Sequence, residues 1–121
     1  MIYDYEKIET GSCYDFSATQ KLGGCLTIHT KEGDVELEYI THKMRFFLNN
    51  ECCAIATPDK AAAILVVIKN WHKQWPSTDL PCKYEVIYNI GLVLGKGSDK
   101  TVELKDNVSF NTGIRNGIAA A

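Results

Sequence analysis

Residues 25–40 read CLTIHTKEGDVELEYI, and their alternation sets the fold. Leu26 and Ile28 alternate with Thr27 and His29. Val35, Leu37 and Tyr39 alternate with Glu36 and Glu38, the period of two expected of half-buried strands. Between the two runs, Lys31-Glu32-Gly33-Asp34 supplies a glycine for a tight turn. The pair therefore reads as an antiparallel hairpin with one apolar and one polar face.

The pattern continues toward the C-terminus. In KMRFFLN, residues 43–49, Met44, Phe46 and Leu48 fall on one side. Asn49-Asn50 suits a two-residue hairpin turn, because asparagine tolerates positive φ. ECCAIAT, residues 51–57, follows as a short apolar strand whose neighbours Cys52 and Cys53 face opposite ways. A helical reading of 43–56 through Met44, Phe47, Leu48 and Ile55 is the weaker fit. Toward the N-terminus the pattern fades. MIYDYEKIE suits a strand or a short helix, and Ser17 to Leu22 suits one helical turn, so residues 1–23 are poorly defined.

TPDKAAAILVVIKNWHKQW, residues 57–75, reads as a long helix. Thr57 suits the N-cap, Pro58 the first helical position, and Asp59 the positive end of the dipole. Ala61, Ile64, Leu65, Ile68, Trp71 and Trp75 share a face. The opposite face carries Ala62, Ala63, Val66 and Val67, so a cover over more than one side is expected. KYEVIYNIGLVLG, residues 83–95, alternates through Tyr84, Val86, Tyr88, Ile90, Leu92 and Leu94. It reads as a central strand bent at Gly91. TVELKDNVSF, residues 101–110, reads as its antiparallel return, and residues 112–121 as a frayed tail. The expected fold is a single α+β domain over 1–121. It comprises an antiparallel sheet of about six strands (a meander, one long helix and a closing hairpin) with the helix packed on one face.

Composition narrows the function. With 121 residues the chain can bury one core without metals or disulfides. The net charge of −2 and unclustered basic residues argue against nucleic acid as a partner. No apolar run approaches the ~20 residues of a membrane span. Five cysteines, an odd number, and an N-terminus without signal-peptide character suggest the reducing cytoplasm.

Motifs of chemistry are weak. Cys25-x-x-x-His29 is a loose metal pair with no second close pair to complete a site. Cys53 stands near the start of the long helix, where a thiol pKa falls, yet no nucleophile signature surrounds it. Gly91-x-x-x-Gly95-Lys96-Gly97-Ser98 departs from a phosphate loop in spacing and lacks a following helix. Neither catalytic residues, nor a metal, nor a cofactor is expected.

The remaining pattern is acidic. Asp34, Glu36 and Glu38 share the outward side of one strand, with Glu32 at the turn. Their ordinary reading is a solvated face neutralised by Lys31, Lys43 or Arg45. Their functional reading is a docking face for a basic partner, with Trp75 as a second contact. The sequence thus suggests a non-enzymatic protein-binding module. It would be inhibitor-like or toxin-immunity-like, its partner another protein such as a basic toxin or enzyme, and homodimerisation is compatible. The alternatives are a small-ligand protein or small enzyme with a pocket between helix and sheet, lined by Tyr84, Tyr88, Arg45, His42 and Cys53, and an oligomeric structural protein.

Overall fold

The computed structural model describes residues 8–11, 13–19, 23–40, 45–55, 64, 66, 67, 70, 80–96 and 104–120. Six strands form one antiparallel sheet in sequence order: β1 (Ile8–Thr10), β2 (Tyr14–Thr19), β3 (Gly23–Thr30), β4 (Gly33–Ile40), β5 (Arg45–Leu48) and β6 (Glu51–Ile55). The central hairpin pairs as its alternation requires, with Leu26 opposite Leu37 and Ile28 opposite Val35. All four side chains are buried, as is Tyr39. Tyr39 pairs with Phe46 on β5, their ring centroids 4.9 Å apart. Asn49 and Asn50 turn the next hairpin with φ of 47° and 71°, the left-handed pair such a connection needs. The Asn49 side chain adds a bond from the Glu36 amide at 2.9 Å.

A bulge interrupts β5 and β6. Phe46 pairs with Ala54 and Phe47 with Cys52, so Cys53 is the extra residue. It turns inward, fully buried, and its thiol lies 3.5 Å from the Phe46 carbonyl. Cys52 stays half-exposed, so the two cysteines do separate.

One element corrects the sequence reading of the N-terminal segment. Ser17 to Leu22 was expected as a helical turn, but β2 runs as strand through Thr19. Tyr14, Phe16 and Ala18 are buried opposite Ile28, Leu26 and Gly24, while Asp15 and Ser17 are exposed. Strand pairing with β3 organises a stretch whose own pattern is short.

The larger correction lies in the C-terminal third, where the closing hairpin is replaced by two helices, α1 (Lys83–Gly95) and α2 (Val108–Ala119). In α1 the buried residues are Val86, Ile87, Ile90, Gly91, Val93, Leu94 and Gly95, a helical spacing that the valine- and isoleucine-rich composition disguised. Residues 112–119, expected to fray, form most of α2.

Glycines decide how closely these two helices pack. Gly91 and Gly95 on α1 face Gly113 and Gly117 on α2. A Cβ on Gly91 would stand 2.5 Å from the Phe110 carbonyl oxygen, and one on Gly113 would strike the Tyr88 carbonyl. Gly95 and Gly117 abut the backbones at Ile114 and Leu92 in the same way. Small residues one turn apart let two helix backbones touch. The strand expectation with a bend at Gly91 fails because Gly91 serves this contact.

Each helix start has an identifiable cap. Cys82 at the N-cap of α1 offers no capping side chain of its own. Glu32, from the tip of the β3–β4 hairpin, brings its carboxylate 3.4 Å from the Lys83 amide. The Lys31 amide also donates to the Pro81 carbonyl at 3.0 Å. The hairpin tip thus docks onto the positive end of α1. At α2, Asn107 accepts from the Phe110 amide at 3.2 Å. The Asn111 amide group bonds both the amide and the carbonyl of Leu104, at 2.8 and 2.9 Å.

The long helix expected over 57–75 lies mostly outside the described residues. Ile64, Val66, Val67 and Asn70 are helical. Ile64 is buried and Val67 packs against the core. Val66, expected under a cover, is 56% exposed. The result is two layers. The inner sheet face packs against Ile64, Val86, Ile87, Ile90, Val93, Leu94, Phe110 and Ile114 in one continuous core. No described helix is long and apolar enough to cross a membrane.

Candidate functional site

Helices pack on the inner face, and no described element covers the polar face of β2, β3 and β4. Asp34, Glu36 and Glu38 are all exposed along β4, as strand alternation requires. Neighbouring carboxylates along a strand stand about 7 Å apart. Among the described residues none forms an ion pair with Glu36 or Glu38. Arg45 is exposed on β5 without reaching them, and Lys43 lies outside the described residues. Trp75 also lies outside them.

Asp34 is engaged differently, in a cluster that spans three strands. His29 stands opposite Asp34 across the β3–β4 hairpin. Its Nδ1 lies 2.9 Å from Asp34 Oδ1, and its Nε2 lies 2.8 Å from Asp15 Oδ2 on β2. A carboxylate only accepts, so both ring nitrogens must donate, which requires the imidazolium. The two acidic partners accordingly hold the His29 pKa above its ordinary value, Asp34 more than Asp15, against a small opposing cost of burial.

This arrangement bears on the Cys25–His29 metal pair. In this geometry both ring nitrogens face carboxylates, which leaves neither turned toward Cys25 as a partner ligand. Cys25 and His29 are four residues apart on one strand, about 13 Å. Among the described residues no group of three potential ligands could hold a metal ion.

The thiols of Cys53, Cys25 and Cys13 are shifted away from activation. Burial pushes Cys53 up to about 12, with Cys52 adding to the shift. That is opposite to the lowering expected near a helix N-terminus. Cys25 is raised by burial and by Glu38 and Glu36, against a bond from Thr27. Burial also raises Cys13. Labelling of the native protein at pH 8 with an aromatic disulfide reagent is therefore expected to modify Cys52 and Cys82 first. Cys13 and Cys53 should react only on unfolding, and fast native labelling of Cys53 would contradict its placement.

Among the described residues the open face has relief but no deep pocket. A depression of about 180 Å³ is lined by Ser17, Ala18, Gly23, Gly24, Cys25, Glu38 and Tyr39. A second, of about 140 Å³, touches Ile8, Asp15, Ser17, Cys25 and Thr27. They share Ser17 and Cys25. Both fall below the roughly 300 Å³ at which small-molecule sites begin.

Between the layers, the expected pocket residues do not converge. Cys53 is in the core, Arg45 and Tyr84 are exposed, and Tyr88 accepts a bond from Asn116 at 2.9 Å on the helical side. His42 lies outside the described residues. A void among Phe16, Gly24, Leu26, Leu37, Tyr39 and Phe46 is about 10 Å³, too small for a ligand. Gly91 and Gly95, the glycines of the phosphate-loop resemblance, are buried in α1.

Of the residues named from sequence, the structure gathers Asp34, Glu36 and Glu38 on one exposed face. Asp15 was missed. It lies in the segment of weakest pattern, and only the three-strand register brings it to His29. The His29–Asp34 half was readable, since the hairpin turn sets them opposite.

Comparison of the chain with protein-family models, curated proteins and solved structures finds no match.

Proposed function

We propose that the protein is a non-enzymatic protein-binding module that docks a basic partner on the open face of its sheet. An inhibitor-like or immunity-like role, with a basic toxin or enzyme as the partner, is the specific form of this reading. The observation that carries it is the pair Glu36 and Glu38, exposed beside Asp34 and without an ion pair among the described residues, on a face that no described element covers. Complementary charge gives such a face a fast, salt-sensitive encounter with a cationic surface. The shallow depressions suit the aliphatic stems of lysine and arginine better than a whole metabolite. The five free cysteines agree with a reducing cytoplasm.

Glu36→Lys with Glu38→Lys is expected to leave the fold intact and to weaken binding of a lysine-rich peptide on the order of ten-fold at low salt. Added salt should narrow the difference. Equal binding by a well-folded double variant would remove this face from the docking reading.

A homodimer is the second reading, favoured by Val66, Tyr84, Val108 and Ile118, large apolar side chains exposed on helical elements. A solution mass that stays monomeric up to high concentration would exclude it.

A further inference from the structure

The Asp15–His29–Asp34 cluster links β2, β3 and β4 through side chains. An imidazolium bridging two carboxylates is an internal cation seated on an acidic face. Neutral imidazole has one N–H and one lone pair, so it can satisfy one carboxylate and must turn a lone pair toward the other. Loss of a single proton therefore breaks one of two bonds and uncovers one carboxylate. We propose that His29 is a pH-operated mask over Asp15 and Asp34, covering both when protonated and releasing one of them when neutral.

The surroundings of His29 support this. From β2 it faces Asp15. From β4 it faces Asp34 directly, with Glu36 diagonally beyond, opposite Thr27. Lys31 and Glu32 lie in the adjoining turn, and the Glu32 carboxylate is directed to the start of α1. The carboxylates that face His29 thus favour its charged form. The side chains of His29, Asp15 and Asp34 are 36%, 52% and 55% exposed, so protons and an incoming cation can both reach the cluster.

Two consequences follow. The raised pKa means that the bridge contributes to stability fully below about pH 6.5, the ordinary histidine value, and that this contribution is lost as pH rises through the His29 pKa of the folded state. On the docking reading above, on which this second consequence rests, a cationic side chain competes with the His29 proton for the same carboxylates. Binding of a basic partner then releases a proton and strengthens as pH rises.

Histidine proton resonances followed from pH 5 to 9 test the mask without any partner. His29 is expected to titrate above the ordinary histidine value, and Asp15→Asn and Asp34→Asn should each lower its midpoint. The urea midpoint of the wild type should fall between pH 6 and pH 9 by more than that of His29→Gln, which cannot titrate. Titration of His29 at the ordinary value, unmoved by either substitution, overturns the proposal. So does an equal fall in His29→Gln.

A lysine-rich peptide supplies the second arm. Its binding should tighten roughly two- to five-fold from pH 6 to pH 9 in the wild type and stay constant in His29→Gln. Peptide that fails to bind at either pH defeats the docking reading alone, since the resonance titration still decides the mask. Equal tightening in both proteins counts against the mask.

Discussion

Gly113→Ala is expected to destabilise the protein by about 3 kcal/mol, lowering the melting temperature by roughly 10 °C. The sign is the informative part. Alanine in place of glycine inside an ordinary helix stabilises by roughly 0.5–1 kcal/mol, because glycine has more freedom to lose on folding. Here the added methyl meets the Tyr88 carbonyl and lies 3.0 Å from the Leu92 amide nitrogen. These are backbone atoms with no rotamer to move, so α1 and α2 must separate. Separation pulls on Ile90, Ile114 and Phe110, which the two helices hold against the sheet. In a domain with roughly 5–15 kcal/mol of total stability, that is a substantial share. Chemical unfolding measures it, and a stabilised Gly113→Ala would mean that the helices do not touch backbone to backbone.

Phe110→Ala should cost about 3–5 kcal/mol. Phe110 is wholly buried in the first turn of α2, and its own amide is held by the Asn107 cap. Its carbonyl lies against Gly91 at the crossing. Truncation leaves a cavity where the helix start, the crossing and the sheet-facing core meet, a place where rigid backbone contacts limit collapse. Val108→Ala, two residues earlier and 77% exposed, should change stability by less than about 0.5 kcal/mol. A comparable loss from both substitutions would contradict the placement of α2.

The two halves of the molecule differ in how far the sequence reveals them. From Gly23 to Ile55, one sheet face is buried and the other wet, so alternation is written into the residues. The two described hairpin turns carry glycine or asparagine where φ is positive. The C-terminal third gave both signals at once. Residues 83–95 alternate at every second position, yet Val86, Ile87, Ile90, Val93 and Leu94 also trace a helical stripe. Their β-branched and aromatic character favoured the strand, while packing between two helices and a sheet favours the helix. Two clues pointed the right way. A run of 13 residues is long for a strand, and two Gly-x-x-x-Gly pairs recur, at 91/95 and 113/117.

The same distinction applies to the candidate site. Asp34, Glu36 and Glu38 were visible because a single regular strand places them. Asp15 depends on the β2–β3 register, which no local pattern announces, and the docking of Glu32 onto α1 joins residues some fifty positions apart. Long-range partners of this kind become legible only once the sheet is assembled.

The central functional claim is that the protein works through the open face of its sheet. Backbone amide shifts followed during titration with a lysine-rich peptide at low salt and pH 8 test it most directly. The largest shifts are expected along β2, β3 and β4, at Asp15, Thr27, His29, Asp34, Glu36 and Glu38, and added salt should abolish them. Shifts centred on α1 and α2, or shifts insensitive to salt, would contradict the claim.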